Sequence, residues 1–296
     1  MTTPIEHLHV EANGLRFHVA AAGDAGAPSI LFLHGFPEGW ISWQTVMETL
    51  PGYRLYAPDL RGYPATERAK DGYDVLTLTD DIKALIDALE LDQPILVSHD
   101  WGGALGWIFA HRYSNMIRTL IVLNCTHPKT LVRAVLEVQH LQTFRFPYVV
   151  FFLIPWLPEH LLTTALGKKL MSLSCKLLEG RPGAINPAML SDMLSRFQSA
   201  QDIKGPIDYY RQLVLTQIIP SRRRRLNAVY NVPITVPVTL VWGDKDKILI
   251  EAVGRESYKD AGCPVDFRPV RGAGHFLQLE VPERVVNEIL HALAAS

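Results

Sequence analysis

Ser98-His99-Asp100-Trp101-Gly102 sets an aspartate between two small residues, each one position removed from it. An apolar run, Pro94 to Val97, precedes these five residues, and a helix-like stretch, Gly103 to His111, follows. Small–x–nucleophile–x–small between a strand and a helix frames a tight turn. Its outer positions must be small, and its central side chain stands exposed above a sheet. Hydrolases that cleave esters usually carry serine at the centre. Asp100 would instead attack carbon directly as a carboxylate and form an ester with the substrate. That chemistry suits displacement at a saturated carbon, as in an epoxide or an alkyl halide. Ser98 fails as the nucleophile, because the small residue two places before it would be Leu96.

An ester on Asp100 must then be hydrolysed, and the water needs a base. Among 11 histidines, His275 is set apart by its loop, Gly272-Ala273-Gly274-His275-Phe276, directly after the strand-like Val265 to Val270. That brings it to the same sheet edge as Asp100. His34 and His99 read as structural. A base needs an acid to orient its ring and offset its charge. Val238 to Trp242 ends at Gly243-Asp244-Lys245-Asp246, and the order nucleophile, acid, histidine selects Asp246, with Asp244 expected to bond its own turn. Ester hydrolysis passes through an oxyanion. Its expected donors are the backbone amides of Trp101 and of Phe36, in the loop His34-Gly35-Phe36-Pro37-Glu38. Each such donor is worth roughly 2.7–4 kcal/mol. The side chains of Phe36, Trp101 and Phe152 are expected to wall an apolar pocket.

The elements that must position these residues follow a rhythm. His7 to Glu11 and Leu15 to Ala20 alternate around Asn13-Gly14, as in a hairpin. Ser29 to Leu33, Arg54 to Pro58, Ile95 to Val97 and Thr119 to Leu123 read as buried strands, with helices over Leu78 to Leu89 and Gly103 to Tyr113. This alternation predicts a mostly parallel sheet covered on both faces. From Lys129 to Leu226 only helical patterns occur, punctuated by prolines including Pro206; Arg222 to Arg225 reads as a solvated connection. Strands resume at Val238 and Val265, and a last helix runs from Pro282 to Ala294. The simplest organisation is an α/β core of residues 1–128 and 227–296 with a helical cap, 129–226, over its C-terminal strand edge, where ligands bind in open α/β sheets.

Composition narrows the partners. The 296 residues carry a formal net charge of -1, with 20% charged, so no field recruits nucleic acid. Three well-separated cysteines give no disulfide framework or metal spacing. Met1 to His9 lacks the features of a signal peptide, and Val149 to Ile154 is too short to span a bilayer. A cytoplasmic protein with no membrane partner is expected; the oligomeric state is open.

Six motifs together resemble the epoxide hydrolases of the α/β-hydrolase fold. They are His-Gly-Phe-Pro-Glu (34–38), Asp-Leu-Arg-Gly-Tyr (59–63), Ser-His-Asp-Trp-Gly-Gly (98–103), Leu-Asn-x-x-His-Pro (123–128), Trp-Gly-Asp-x-Asp (242–246) and Gly-x-Gly-His-Phe-x-x-x-Glu (272–280). The likeness covers nearly the whole chain and is to the short bacterial form, without the N-terminal phosphatase domain of mammalian soluble enzymes. It implies conversion of a small apolar epoxide and water to a vicinal diol, with no cofactor and no metal. It also implies two cap tyrosines that hydrogen-bond the epoxide oxygen. The second cap motif falls on Gly205-Pro206-Ile207-Asp208-Tyr209-Tyr210-Arg211, giving Tyr210 with Tyr209 as its rival; the first falls on Tyr148. The chain departs from the family around Tyr148, with Phe146-Pro147 for the usual Ser-Trp and Phe152-Leu153 for Phe-Gln.

The alternative is a haloalkane or haloacid dehalogenase of the same fold, which also carries Asp-Trp at the elbow. Epoxide opening creates a strongly basic alkoxide that wants a phenol, whereas a halide wants soft donors and never a proton. A binding protein with dead chemistry is disfavoured by an intact Asp100, Asp246 and His275.

Overall fold

A computed structural model describes residues 4–295. Eight strands form one sheet: β1 (Ile5–Ala12), β2 (Leu15–Ala22), β3 (Ser29–Leu33), β4 (Arg54–Pro58), β5 (Ile95–His99), β6 (Thr119–Leu123), β7 (Val238–Gly243) and β8 (Val265–Val270). Their order is β1-β2-β4-β3-β5-β6-β7-β8. β1 and β2 pair antiparallel across Asn13-Gly14, both at positive φ, as a type I′ turn requires. β2 meets β4 antiparallel, and every later pairing is parallel. The parallel strands β5 and β6 are buried at every position, which is why they read as unbroken apolar runs.

The principal helices are α1 (Val75–Ala88), α2 (Trp101–Tyr113), α3 (Pro128–Leu136), α4 (Pro147–Phe152), α5 (Ala165–Leu177), α6 (Pro187–Ser195), α7 (Ala200–Ile218), α8 (Pro220–Tyr230) and α9 (Pro282–Ala295). This is the α/β-hydrolase architecture, with α3 to α8 inserted between β6 and β7.

Three local expectations are corrected. α1 begins at Val75 rather than Leu78, because Asp74 accepts the amides of Leu76 and Thr77, while Thr79 is buried and bonds the Val75 carbonyl. Pro206 lies inside α7 instead of punctuating it; the helix is capped by a Ser199/Asp202 capping box and held by tertiary packing that outweighs the proline. Arg222 to Arg225 are exposed, as expected, but form a helix rather than a connection.

Candidate active site

Asp100 stands at the turn from β5 into α2 with φ 49° and ψ -117°, a conformation that residues with side chains seldom adopt. The close packing around it explains the small neighbour at Gly102, where a Cβ would lie 2.3 Å from the Leu33 carbonyl oxygen. The Gly102 amide donates to the His34 carbonyl at 3.0 Å, drawing the loop after β3 against the turn. The Phe36 amide in that loop then donates to Asp100 Oδ1 at 2.9 Å.

His275 reaches the same edge from the loop after β8. Its Nδ1 lies 2.8 Å from Asp246 Oδ2, and its Nε2 lies 3.5 Å from Asp100 Oδ2. The first distance is a hydrogen bond; the second suits charge attraction but is long for a strong hydrogen bond. Asp246 is fixed in turn, its Oδ1 accepting the amides of Ile248 at 2.7 Å and Leu249 at 3.0 Å. Asp244 does not bond its own turn as expected. Its Oδ1 accepts the Gly272 amide at 2.7 Å, bracing the histidine loop, because β7 and β8 are neighbours and their loops emerge side by side. His34 is structural: Nδ1 bonds the Gly35 carbonyl, and Nε2 accepts the Leu60 amide.

At His275 and at Asp100 burial works against charge, but the attraction of opposite charges prevails. For His275, burial disfavours the cation, while the charge of Asp246 and the contact with Asp100 raise its pKa well above the ordinary value. For Asp100, burial is again the largest opposing influence, and His275 with the Phe36 amide holds its carboxyl below the usual range. The sign is testable. Replacing Asp100 with Asn removes one of the two anions that favour the imidazolium, so the His275 pKa should fall. Titration of the ring by nitrogen NMR in both proteins would measure this; an unchanged pKa would mean that Asp100 does not act on the ring.

The two tyrosines approach from the insert. Tyr148 on α4 and Tyr210 on α7 have ring centroids 5.8 Å apart, and Tyr210 also packs edge-on against Trp101 at 4.9 Å and Phe152 at 5.0 Å. Phe36 closes the group, 5.7 Å from Tyr210 and 5.5 Å from Phe152. Burial raises both phenols, and the nearby charge of Asp100 adds to it. Both therefore remain protonated donors. Tyr209 is committed elsewhere, its hydroxyl donating to the Arg61 carbonyl at 2.8 Å.

Two supports escaped the sequence reading. The buried Glu38 bonds His99 Nδ1 at 2.7 Å, His99 Nε2 meets the His275 carbonyl at 2.8 Å, and Gln278 donates to Glu38 at 3.0 Å. Glu280 accepts the amides of Gly274 at 2.9 Å, Phe276 at 3.2 Å and, from the insert, Gly180 at 2.8 Å. Both networks hold the backbone on which His275 is mounted. Glu38, His99 and Gln278 lie far apart in the chain, as do Glu280 and Gly180, so no local spacing announces those bonds. Among the described residues, no group of three or more His, Cys, Asp and Glu could hold a metal ion, and no helix is long and apolar enough to cross a membrane.

Residues 28–282 match the family model for the alpha/beta hydrolase fold, and the chain belongs to that family. Within it, the chain is 34% identical over 284 residues to Epoxide hydrolase 3 of Mus musculus, covering 93% of this chain and 73% of that protein. It is also 30% identical to the AB hydrolase superfamily protein YfhM of Bacillus subtilis, over 95% of both chains. Among solved structures, an epoxide hydrolase from Vigna radiata superposes with a TM-score of 0.77 at 28% identity, covering 99% of each chain. The protein is thus a hydrolase-fold relative of epoxide hydrolases.

Proposed function

We propose that this protein is an epoxide hydrolase that converts apolar epoxides to vicinal diols through an ester on Asp100. The observation that carries the reading is a pair of phenols, the half-buried Tyr148 and the buried Tyr210, packed together beside a carboxylate that itself lies next to an Asp–His pair. The tyrosines hydrogen-bond the epoxide oxygen, Asp100 attacks ring carbon, and the opening alkoxide takes a phenolic proton. Ester formation removes the charge of Asp100. The His275 pKa then drops, and its Nε2 proton passes to the phenolate left by ring opening. The freed Nε2 takes a proton from water as that water attacks the ester carbonyl, while Asp246 steadies the ring. The Phe36 and Trp101 amides hold the resulting oxyanion. Its collapse expels the diol oxygen, which takes that proton from His275 and restores the Asp100 carboxylate. Phe36, Trp101 and Phe152 present only ring faces and edges to the substrate, which favours apolar epoxides.

The Trp101 ring packs edge-on against Tyr210 at 4.9 Å, which sets a phenol, a donor suited to an alkoxide rather than a halide, beside the indole. The mechanism fixes where oxygen comes from. In a single turnover in heavy-oxygen water, the diol should be unlabelled and the label should enter Asp100, because the oxygen first delivered to product belongs to the enzyme. Label in the first-turnover diol would overturn covalent catalysis. Halide release from chloro- or bromoalkanes without diol formation from epoxides would overturn the substrate class.

A further inference from the structure

Helix α5 has two faces that differ in what covers them. Gly167, Met171 and Cys175 are buried within the protein. Leu166, Leu170, Leu173 and Leu177, spaced four, three and four residues apart, form one stripe and are 60%, 45%, 52% and 61% exposed. Single exposed leucines are ordinary, but a continuous stripe of four on one helix is a surface built to be covered. Lys169 and Lys176, both exposed, line one edge of it. At the C-terminal end of α5, Lys247 Nζ donates to the carbonyls of Leu177 and Glu179, and Arg145 donates to the Lys247 carbonyl. Leu141 and Phe144, 63% and 73% exposed, belong to the segment that Arg145 ends. The apolar surface thus continues past Lys247 with cations along it.

The charge of the whole insert points the same way. Residues 124–237 contain 14 Lys and Arg against 6 Asp and Glu, whereas the rest of the chain contains 15 against 24. Four of those 6 acids, Glu159, Glu179, Asp202 and Asp208, are buried. The near-neutral total therefore conceals a basic insert on an acidic core. We infer that this face of the insert docks on an anionic lipid bilayer. The α5 leucines and Phe144 would enter the boundary between headgroups and acyl chains, and Lys169 and Lys176 would meet lipid phosphates. This departs from the expectation of no membrane partner and concerns surface contact, not a membrane span. A second copy fits the same stripe less well. α5 contains no acidic residue, so pairing it with itself about a two-fold axis would set lysine rows against each other.

The inference is independent of the reaction assigned above and is tested with phosphatidylcholine vesicles, with and without phosphatidylglycerol, by co-sedimentation. The protein should pellet with the anionic vesicles at least roughly tenfold more tightly than with the neutral ones, and release as salt is raised. Leu170→Glu/Leu173→Glu should abolish binding, and Lys169→Glu/Lys176→Glu should weaken it by a similar factor, with turnover of a water-soluble epoxide unchanged in both. Failure of the parent protein to bind anionic vesicles at low salt would overturn the inference. So would sedimentation of the parent as a dimer that Leu170→Glu/Leu173→Glu splits, since the stripe would then belong to a second copy.

Discussion

His275→Gln should consume one equivalent of epoxide and then stop, with the substrate left as an ester on Asp100. Attack by a carboxylate needs no base, whereas hydrolysis of the ester does. Asp100 keeps its Phe36 hydrogen bond in this variant, so ring opening loses only the nearby imidazolium. Ester hydrolysis loses the group that takes the proton from water. Steady-state turnover is expected to fall by roughly 10²–10⁴-fold, and intact-protein mass should rise by the mass of one substrate molecule. Asp246→Asn should slow the same step, because the ring would keep its loop but lose the acceptor at 2.8 Å. A His275→Gln protein with ordinary turnover would remove His275 from the mechanism.

The second large effect belongs to the insert. Tyr148→Phe or Tyr210→Phe alone should slow ring opening yet leave measurable activity, because the remaining phenol still reaches the same oxygen. The double variant should lose esterification of Asp100, each donor being worth roughly 10²–10⁴-fold as a general acid. Only hydroxyls are deleted, and the ring contacts at 5.8 Å, 4.9 Å and 5.0 Å remain, so the fold should persist. Tyr209→Phe serves as the control. It loses a bond to the Arg61 carbonyl and should lower stability by about 1 kcal/mol with little change in the ester-forming step. Rapid-quench measurement of ester formation separates these outcomes; full activity in the double variant would end the argument for a phenol pair.

Much of this site was legible along the chain because its parts obey short-range rules. Asp100 announces itself through its small neighbours, and His275 and Asp246 each follow a strand whose apolar run is plain. Strands such as Ser29–Leu33 and Thr119–Leu123 are bounded by polar or turn-forming residues, so even their ends could be read. What stayed hidden depends on partners distant in sequence. Glu280 reads only as the last residue of the 272–280 motif until its bond to Gly180 is seen, and Glu38 reads as a loop residue until it meets His99 and Gln278. The start of α1 is set by Asp74 as an N-cap and by Val75, three residues before Leu78 on the buried stripe, signals that the acidic and threonine residues just after Leu78 obscure. Pro206 is a local breaker overruled by the packing around it. The choice between Tyr209 and Tyr210 was open in sequence, since adjacent residues on a helix point about 100° apart; the Arg61 carbonyl takes one and leaves the other over the site.

The seam between α7 and the loop after β4 carries a consequence of its own. Gly205 and Gly62 meet backbone to backbone: a Cβ on Gly205 would lie 2.6 Å from the Gly62 Cα, and one on Gly62 would lie 2.8 Å from the Gly205 Cα. The helix that bears Tyr210 is therefore seated on the core with no spacer. Its height above Asp100 is gauged at this contact, outside the ring of reacting groups. A methyl group at either position would act as a shim, tilting the helix and lifting Tyr210 away from Asp100, while the residues mounted on the core stayed in place. Tolerance for error in the chemistry is thus set at a point where no chemistry occurs.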